Sequence, residues 1–276
     1  MRTCFLLTLL LALLAACANL APQQRRQHAD ALAVAHGWQK LRLPAGPFIL
    51  TGYAPADAPS AATLTVYIEG DGLAWLTRAQ ASDDPTPRRP LGLALALRHP
   101  LGAAAYLARP CQYVAEADWT GCEAAYWTNR RFAPEVVEAS SRAIDLLKQR
   151  AGAQRLVLVG YSGGGAVATL VAARRSDVVQ LVTVAGNLDH RAWTALHHVP
   201  PLAGSLNPSD QWEALQAVPQ LHFVGGKDEN VGEEIARAFA DRFPPARRPA
   251  VQVMQYFDHV CCWVEQWPEL GKHLLR

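Results

Sequence analysis

Ser162 stands in Gly160-Tyr161-Ser162-Gly163-Gly164, directly after the apolar run Arg155-Leu156-Val157-Leu158-Val159 and directly before the alanine-rich stretch 165–174. A serine at a sharp strand-to-helix turn has its hydroxyl thrust out of the sheet, where it can serve as a nucleophile. Glycines on both sides admit the strained backbone and let helix and strand pass closely. Two groups able to handle protons follow downstream. Leu221-His222-Phe223-Val224-Gly225-Gly226-Lys227-Asp228 reads as a buried strand ending in a glycine turn that carries an aspartate. The segment 251–257 alternates apolar and polar residues like a second strand, and Asp258-His259 stands at its end.

The glycine-flanked serine and the chain order Ser162, Asp228, His259 resemble the α/β-hydrolase superfamily. The resemblance implies Ser162 as nucleophile, activated by a hydrogen-bonded imidazole. It implies His259 as the general base that later returns the proton to the leaving group, and Asp228 as the group that fixes the imidazole tautomer. Glu229 and Asp189 are the rival acids, the latter because it follows the apolar run 180–185. An oxyanion hole is implied as well, built from the Gly163 N–H and an N–H in the loop after the strand Leu64-Thr65-Val66-Tyr67-Ile68. That loop reads Glu69-Gly70-Asp71-Gly72, which points to Asp71 first and Gly72 second. Many superfamily members carry His-Gly where this chain has Glu69-Gly70. Backbone donors survive such a change. Two carboxylates beside a developing oxyanion must face away, pair with arginine, or act on a cationic part of the substrate.

The implied activity is cleavage of an ester, thioester or amide through an acyl-serine intermediate. An ester is the first expectation because it asks least of the leaving group; a peptidase or acyltransferase would use the same groups. The alternative from another class is a non-catalytic envelope lipoprotein that keeps the fold for binding. The expected partner is a small-molecule acyl substrate, with no cofactor and no metal, His197-His198 being the weak candidate ligands. Candidate pocket residues are Trp75, just after the oxyanion loop, Tyr161 in the variable position of the turn, and Trp193. Trp193 belongs to the segment 190–212, which also holds Trp212 and where superfamily members often insert a lid.

These groups need a frame to bring them together. Strands at 48–53 and 103–107 and an amphipathic helix over 135–150, burying Ile144, Leu146 and Leu147, join the segments above in an alternating series. The series predicts an α/β domain with one doubly wound, mostly parallel sheet, helices on both faces and the site at the carboxyl ends of the strands; the resemblance implies that the sheet is of the α/β-hydrolase type. The proline-broken, charged segment 82–90 is expected to face solvent or rim the site.

The chain has 276 residues, enough for one large domain, and its net charge of +2 gives no reason to expect nucleic acid. Arg2 precedes an apolar core over 5–16, of signal-peptide length and too short to span a bilayer. It ends in Leu14-Ala15-Ala16-Cys17, which resembles the lipobox of bacterial lipoproteins. Cleavage would leave Cys17 as a lipidated N-terminus anchored in a membrane; Ala16-Cys17-Ala18 also fits ordinary secretion. The expected organisation is a signal peptide at 1–16, a lipidated N-terminus, tether and first helix at 17–40, and the hydrolase domain at 41–276. An exported lipoprotein would face the periplasm from the outer membrane in a Gram-negative cell. Cys111 and Cys122 flank a short polar loop and are the expected disulfide. Cys261-Cys262 stays open between a vicinal bridge and two buried thiols.

Overall fold

The computed structural model describes residues 21–57 and 60–274. The proposed signal peptide and Cys17 lie outside the described residues. Eight strands form one sheet in the order β1-β2-β4-β3-β5-β6-β7-β8. The hairpin β1 (Trp38–Ala45) and β2 (Phe48–Pro55) is antiparallel, and β2 runs antiparallel to β4 (Ala103–Leu107). From β4 onward the pairing is parallel, through β3 (Thr63–Ile68), β5 (Arg155–Tyr161), β6 (Val178–Val184), β7 (Gln220–Gly225) and β8 (Ala250–Met254).

Every residue of β3 and β4 is buried, as continuous apolar runs require when helices cover both faces of a parallel sheet. Along β5 the side chains alternate between two cores. Leu156 and Leu158 pack with α3 (Pro134–Arg150), α4 (Gly163–Ala172) and α6 (Glu233–Ala240). Val157 and Val159 pack with α1 (Pro22–Ala35), α2 (Leu91–Leu97) and α7 (Trp263–Leu270). A two-residue period thus ties each strand to both helical layers. The fold is the expected one.

The segment ahead of residue 41 contains a helix packed on the domain. Helix α1 packs on the second core through Ala29 and Ala33, and β1 begins at Trp38. Tyr53 donates a 2.5 Å hydrogen bond to Asp30. The helix buries Arg25, Ala29 and Ala33, four residues apart, so one narrow stripe docks it. The segment 82–90 rims the cavity over Ser162 through Pro87, Arg88 and Arg89, and part of it is interior. Ser82, Asp84 and Thr86 are buried, and Asp84 pairs with Arg25 and Arg26 of α1. Only Asp83, Arg88 and Arg89 are exposed in it. Fixed partners, invisible in the local composition, turn a charged loop into part of the wall.

Cys111 and Cys122 form the expected disulfide, with Cα atoms 5.6 Å apart. Cys261 and Cys262 are bridged to each other, and Cys261 is exposed, so they are not two buried thiols.

Candidate active site

β5 ends at Tyr161 and α4 starts at Gly163, which leaves Ser162 alone at the turn with φ +51° and ψ −121°. This backbone is costly for a side-chain-bearing residue, on the order of 1–3 kcal/mol, and persists only if its surroundings fix it. They do. The Ser162 N–H donates to the Val184 carbonyl at 3.0 Å, while its own carbonyl accepts from Gly165 and Asn187. At Gly164 a Cβ would collide with the carbonyls of Ile68 and Glu69, so only glycine lets α4 pass the end of β3.

The three residues singled out from the sequence meet. His259 Nε2 lies 3.0 Å from Ser162 Oγ, and His259 Nδ1 lies 2.8 Å from Asp228 Oδ2. Asp228 follows β7, and its side chain is 0% exposed. Its other oxygen accepts the N–H groups of Asn230 and Val231, both at 2.8 Å, which fixes the carboxylate plane. His259 is held from behind. The Tyr161 hydroxyl donates to the His259 carbonyl at 3.0 Å, and the two rings lie 5.4 Å apart. Asp258 accepts the N–H groups of Val260 and Cys261, closing the turn just ahead of the vicinal disulfide.

Neither rival acid reaches the imidazole. Asp189 caps α5 (His190–Leu196), its Oδ1 accepting from Arg191, Ala192 and Asn207. Glu229 is exposed.

The two carboxylates of the loop 69–72 after β3 are each engaged, one facing away and one paired with arginine. Glu69 is buried and accepts from the N–H groups of Gly70, Gly92 and Leu93 and from the Tyr106 hydroxyl. Burial pushes its carboxyl above the ordinary range, outweighing those donors. Asp71 lies 3.0 Å from Arg109 and 2.7 Å from Arg131. Burial acts to raise its pKa too, but Arg131 and Arg109 together win and hold it below the usual carboxylate range. A Cβ on Gly163 would collide with the Asp71 carboxylate, so the start of α4 and the loop 69–72 touch directly. The Gly163 N–H stands at the first position of α4, where a helix supplies no acceptor of its own. Asp71 and Gly72 line the cavity over Ser162.

That cavity measures about 440 Å³. Trp75, Tyr161 and Trp193 all line it, as expected. Trp193 is fixed by its indole N–H to the Asn230 carbonyl at 2.9 Å. The rest of 190–212 is drawn onto the domain: Trp212 packs against Phe243, and His197 lies 2.7 Å from the Asn230 carbonyl. Sequence reasoning missed Arg109 and Arg131. Arg109 lies two residues beyond the carboxyl end of β4, a position where parallel sheets gather functional groups, so the strand assignment could have found it. Arg131 lies in irregular chain and carried no signal.

No protein-family model matches the chain, and no curated protein matches it. Among solved structures it is similar to the esterase Est1E from Butyrivibrio proteoclasticus, with 14% identity over 84% of this chain and 96% of that one and a TM-score of 0.59. It is likewise similar to the Pyrococcus furiosus esterase Pf2001 (14% identity, 92% and 95% covered, TM-score 0.60). A third similar structure is the esterase domain of a Rhodothermus marinus protein (15% identity, 85% and 95% covered, TM-score 0.55). At such identities likeness speaks for architecture, and together with the strand order it establishes that the chain has the α/β-hydrolase fold.

Proposed function

We propose that the protein is a serine hydrolase that cleaves a carboxylic ester through an acyl-serine intermediate. The observation that carries this reading is the unbroken hydrogen-bonded line from Ser162 through His259 to Asp228. His259 Nε2 takes the Ser162 proton as Oγ attacks the carbonyl carbon. The tetrahedral oxyanion is met by the Gly163 N–H and by the Asp71 or Gly72 N–H. The imidazolium, stabilised by Asp228, then passes its proton to the departing alcohol as the carbon–oxygen bond breaks. Water repeats the sequence on the acyl-serine: His259 removes its proton, and Ser162 leaves with that proton restored. An ester leaving group needs the least help; the same groups would serve a thioester or an amide.

The esterases of like fold support the reading by analogy. A lipoprotein that used the fold only for binding would gain nothing from the strained backbone at Ser162. The test is labelling of the soluble chain from residue 18 onward with a fluorophosphonate probe, followed by peptide mapping. Modification at Ser162, abolished by Ser162→Ala, is the expected result; a folded protein that takes no label would overturn the reading. We also propose that Cys17 carries the membrane anchor. Mass spectrometry of the mature N-terminus tests this, and an unmodified start at Asn19 would refute it.

A further inference from the structure

Around Asp71 the charges do not balance. One carboxylate lies between two guanidinium groups, Arg109 and Arg131, whose side chains are only 5% and 7% exposed. Arg109 donates to Asp71 and to the Arg131 carbonyl, and its Nε has no partner among the described residues. Arg131 donates from Nε to the Thr128 carbonyl and from Nη1 to Asp71, and its guanidinium stands 6.0 Å from the Trp193 ring centre. The cluster therefore carries a buried net charge of +1, and Arg131 presents it to the cavity over Ser162. A buried charge without a counter-ion is unfavourable, and an anion entering the cavity would relieve it.

Other lining residues strengthen the field. Arg88 and Arg89 line the same cavity, carried by the segment that the Asp84 pairs with Arg25 and Arg26 hold in place. Glu69, the remaining acid in the lining, is buried and turned onto four donors, which engage its carboxyl away from a ligand. The N-terminus of α4 adds its partial positive charge.

We propose that the substrate is an ester whose acyl part carries a carboxylate, gripped by Arg131 from one wall and by Arg88 and Arg89 from the other while its scissile carbonyl meets Ser162. The guanidinium fork matches a planar carboxylate in two hydrogen bonds, and Trp75 and Trp193 cover the intervening hydrocarbon. This rests on the serine-hydrolase reading and adds the substrate class to it.

The test compares the p-nitrophenyl esters of glutaric acid (as the half-ester) and of 5-methylhexanoic acid. The two acyl chains match in shape and differ in charge. Background release, which the glutarate shows by itself, is subtracted with Ser162→Ala. The expected result is a kcat/KM at least tenfold higher for the glutarate, with that preference cut at least tenfold in the Arg88→Gln/Arg89→Gln double variant. Added salt should shrink it as well. Both substituted residues are exposed, so folding does not depend on them as it does on the buried Arg131. A wild-type protein that prefers the neutral ester, or a preference unchanged in the double variant, would overturn the inference. If neither ester is turned over, the hydrolase reading fails and calorimetry decides the charge question alone. Glutarate should then bind Ser162→Ala protein, and bind at least tenfold more weakly once Arg88 and Arg89 are also replaced. No binding at millimolar glutarate, or binding indifferent to those arginines, sinks it.

Discussion

Replacing Asp228 by asparagine tests the site more sharply than removing the nucleophile, because the structure dictates which way the new amide must face. Asp228 Oδ1 accepts two backbone N–H groups, from Asn230 and Val231, each at 2.8 Å. The amide oxygen of Asp228→Asn has to stay there, so the amide nitrogen takes the place of Oδ2, 2.8 Å from His259 Nδ1. A donor in that place forces Nδ1 to accept, and the ring proton moves to Nε2. Nε2 then points a hydrogen at Ser162 Oγ, 3.0 Å away, and cannot take the serine proton. Flipping the amide would restore the tautomer but set its NH2 against two N–H donors, leaving buried groups unpaired at about 1–3 kcal/mol each. Two such losses amount to about 2–6 kcal/mol, and at 1.36 kcal/mol per tenfold the deficit reaches a factor of up to about 10⁴. That agrees with the loss of about 10⁴ typical of this exchange in Ser-His-Asp sites. We therefore expect Asp228→Asn to lower kcat/KM for an activated ester by about 10³–10⁴-fold, with the melting temperature nearly unchanged. Asp228→Ala should lose both activity and stability, because it strands the same two N–H groups. An Asp228→Asn protein within tenfold of wild type, beside an inactive Ser162→Ala, would refute the argument from tautomer.

Three further outcomes follow from the same geometry. Asp71→Asn leaves two buried guanidinium groups without their carboxylate and should cost about 3–5 kcal/mol in urea unfolding at pH 7. Because the folded-state pKa of Asp71 is depressed, its contribution is complete above the unfolded value of about 3.9 and is lost as pH falls through the folded one; the variant's acid-unfolding curve should lack that part. Glu69 has the opposite sign: its raised folded-state pKa weakens the fold as pH climbs from the unfolded value of about 4.3 through the folded one, so Glu69→Gln should gain stability relative to wild type across that range, as read by urea midpoints. A constant difference across that range would exclude the carboxylate as the cause. Replacing Cys111 and Cys122 together by alanine should remove about 3 kcal/mol by the chain-entropy relation, or about 6–12 °C in calorimetry.

The sequence made Ser162, Asp228 and His259 legible because each sits at a punctuation mark of the fold. Ser162 lies between a valine-rich run and a glycine-led helix, and Asp228 and His259 stand just past strand ends, where side-chain direction follows from backbone pattern. The loop 69–72 was legible in place, and its two acids faced two of the three ways that electrostatics allowed. What stayed hidden depended on partners far along the chain. Nothing near Asp84 announces that Arg25 and Arg26, nearly sixty residues earlier, will make an interior wall of a proline-rich loop. Nothing near Asp71 announces Arg131, sixty residues later. Such ion pairs obey no local period, because they are chosen by which strand ends come together across the sheet.

That division carries a consequence for specificity. The placement of Ser162, Asp228 and His259 follows local rules of turn and strand end. The charge lining the cavity depends instead on long-range contacts: Asp71 with Arg109 and Arg131, which leaves one guanidinium in excess, and the Asp84 pairs with Arg25 and Arg26, which hold the segment carrying Arg88 and Arg89. Replacing the exposed Arg88 or Arg89 should leave the Ser162–His259–Asp228 line in place and alter the field around it. In this chain Arg131, Arg88 and Arg89 all line the cavity, which is why the anionic acyl group, rather than the size of the pocket, is the feature to vary first.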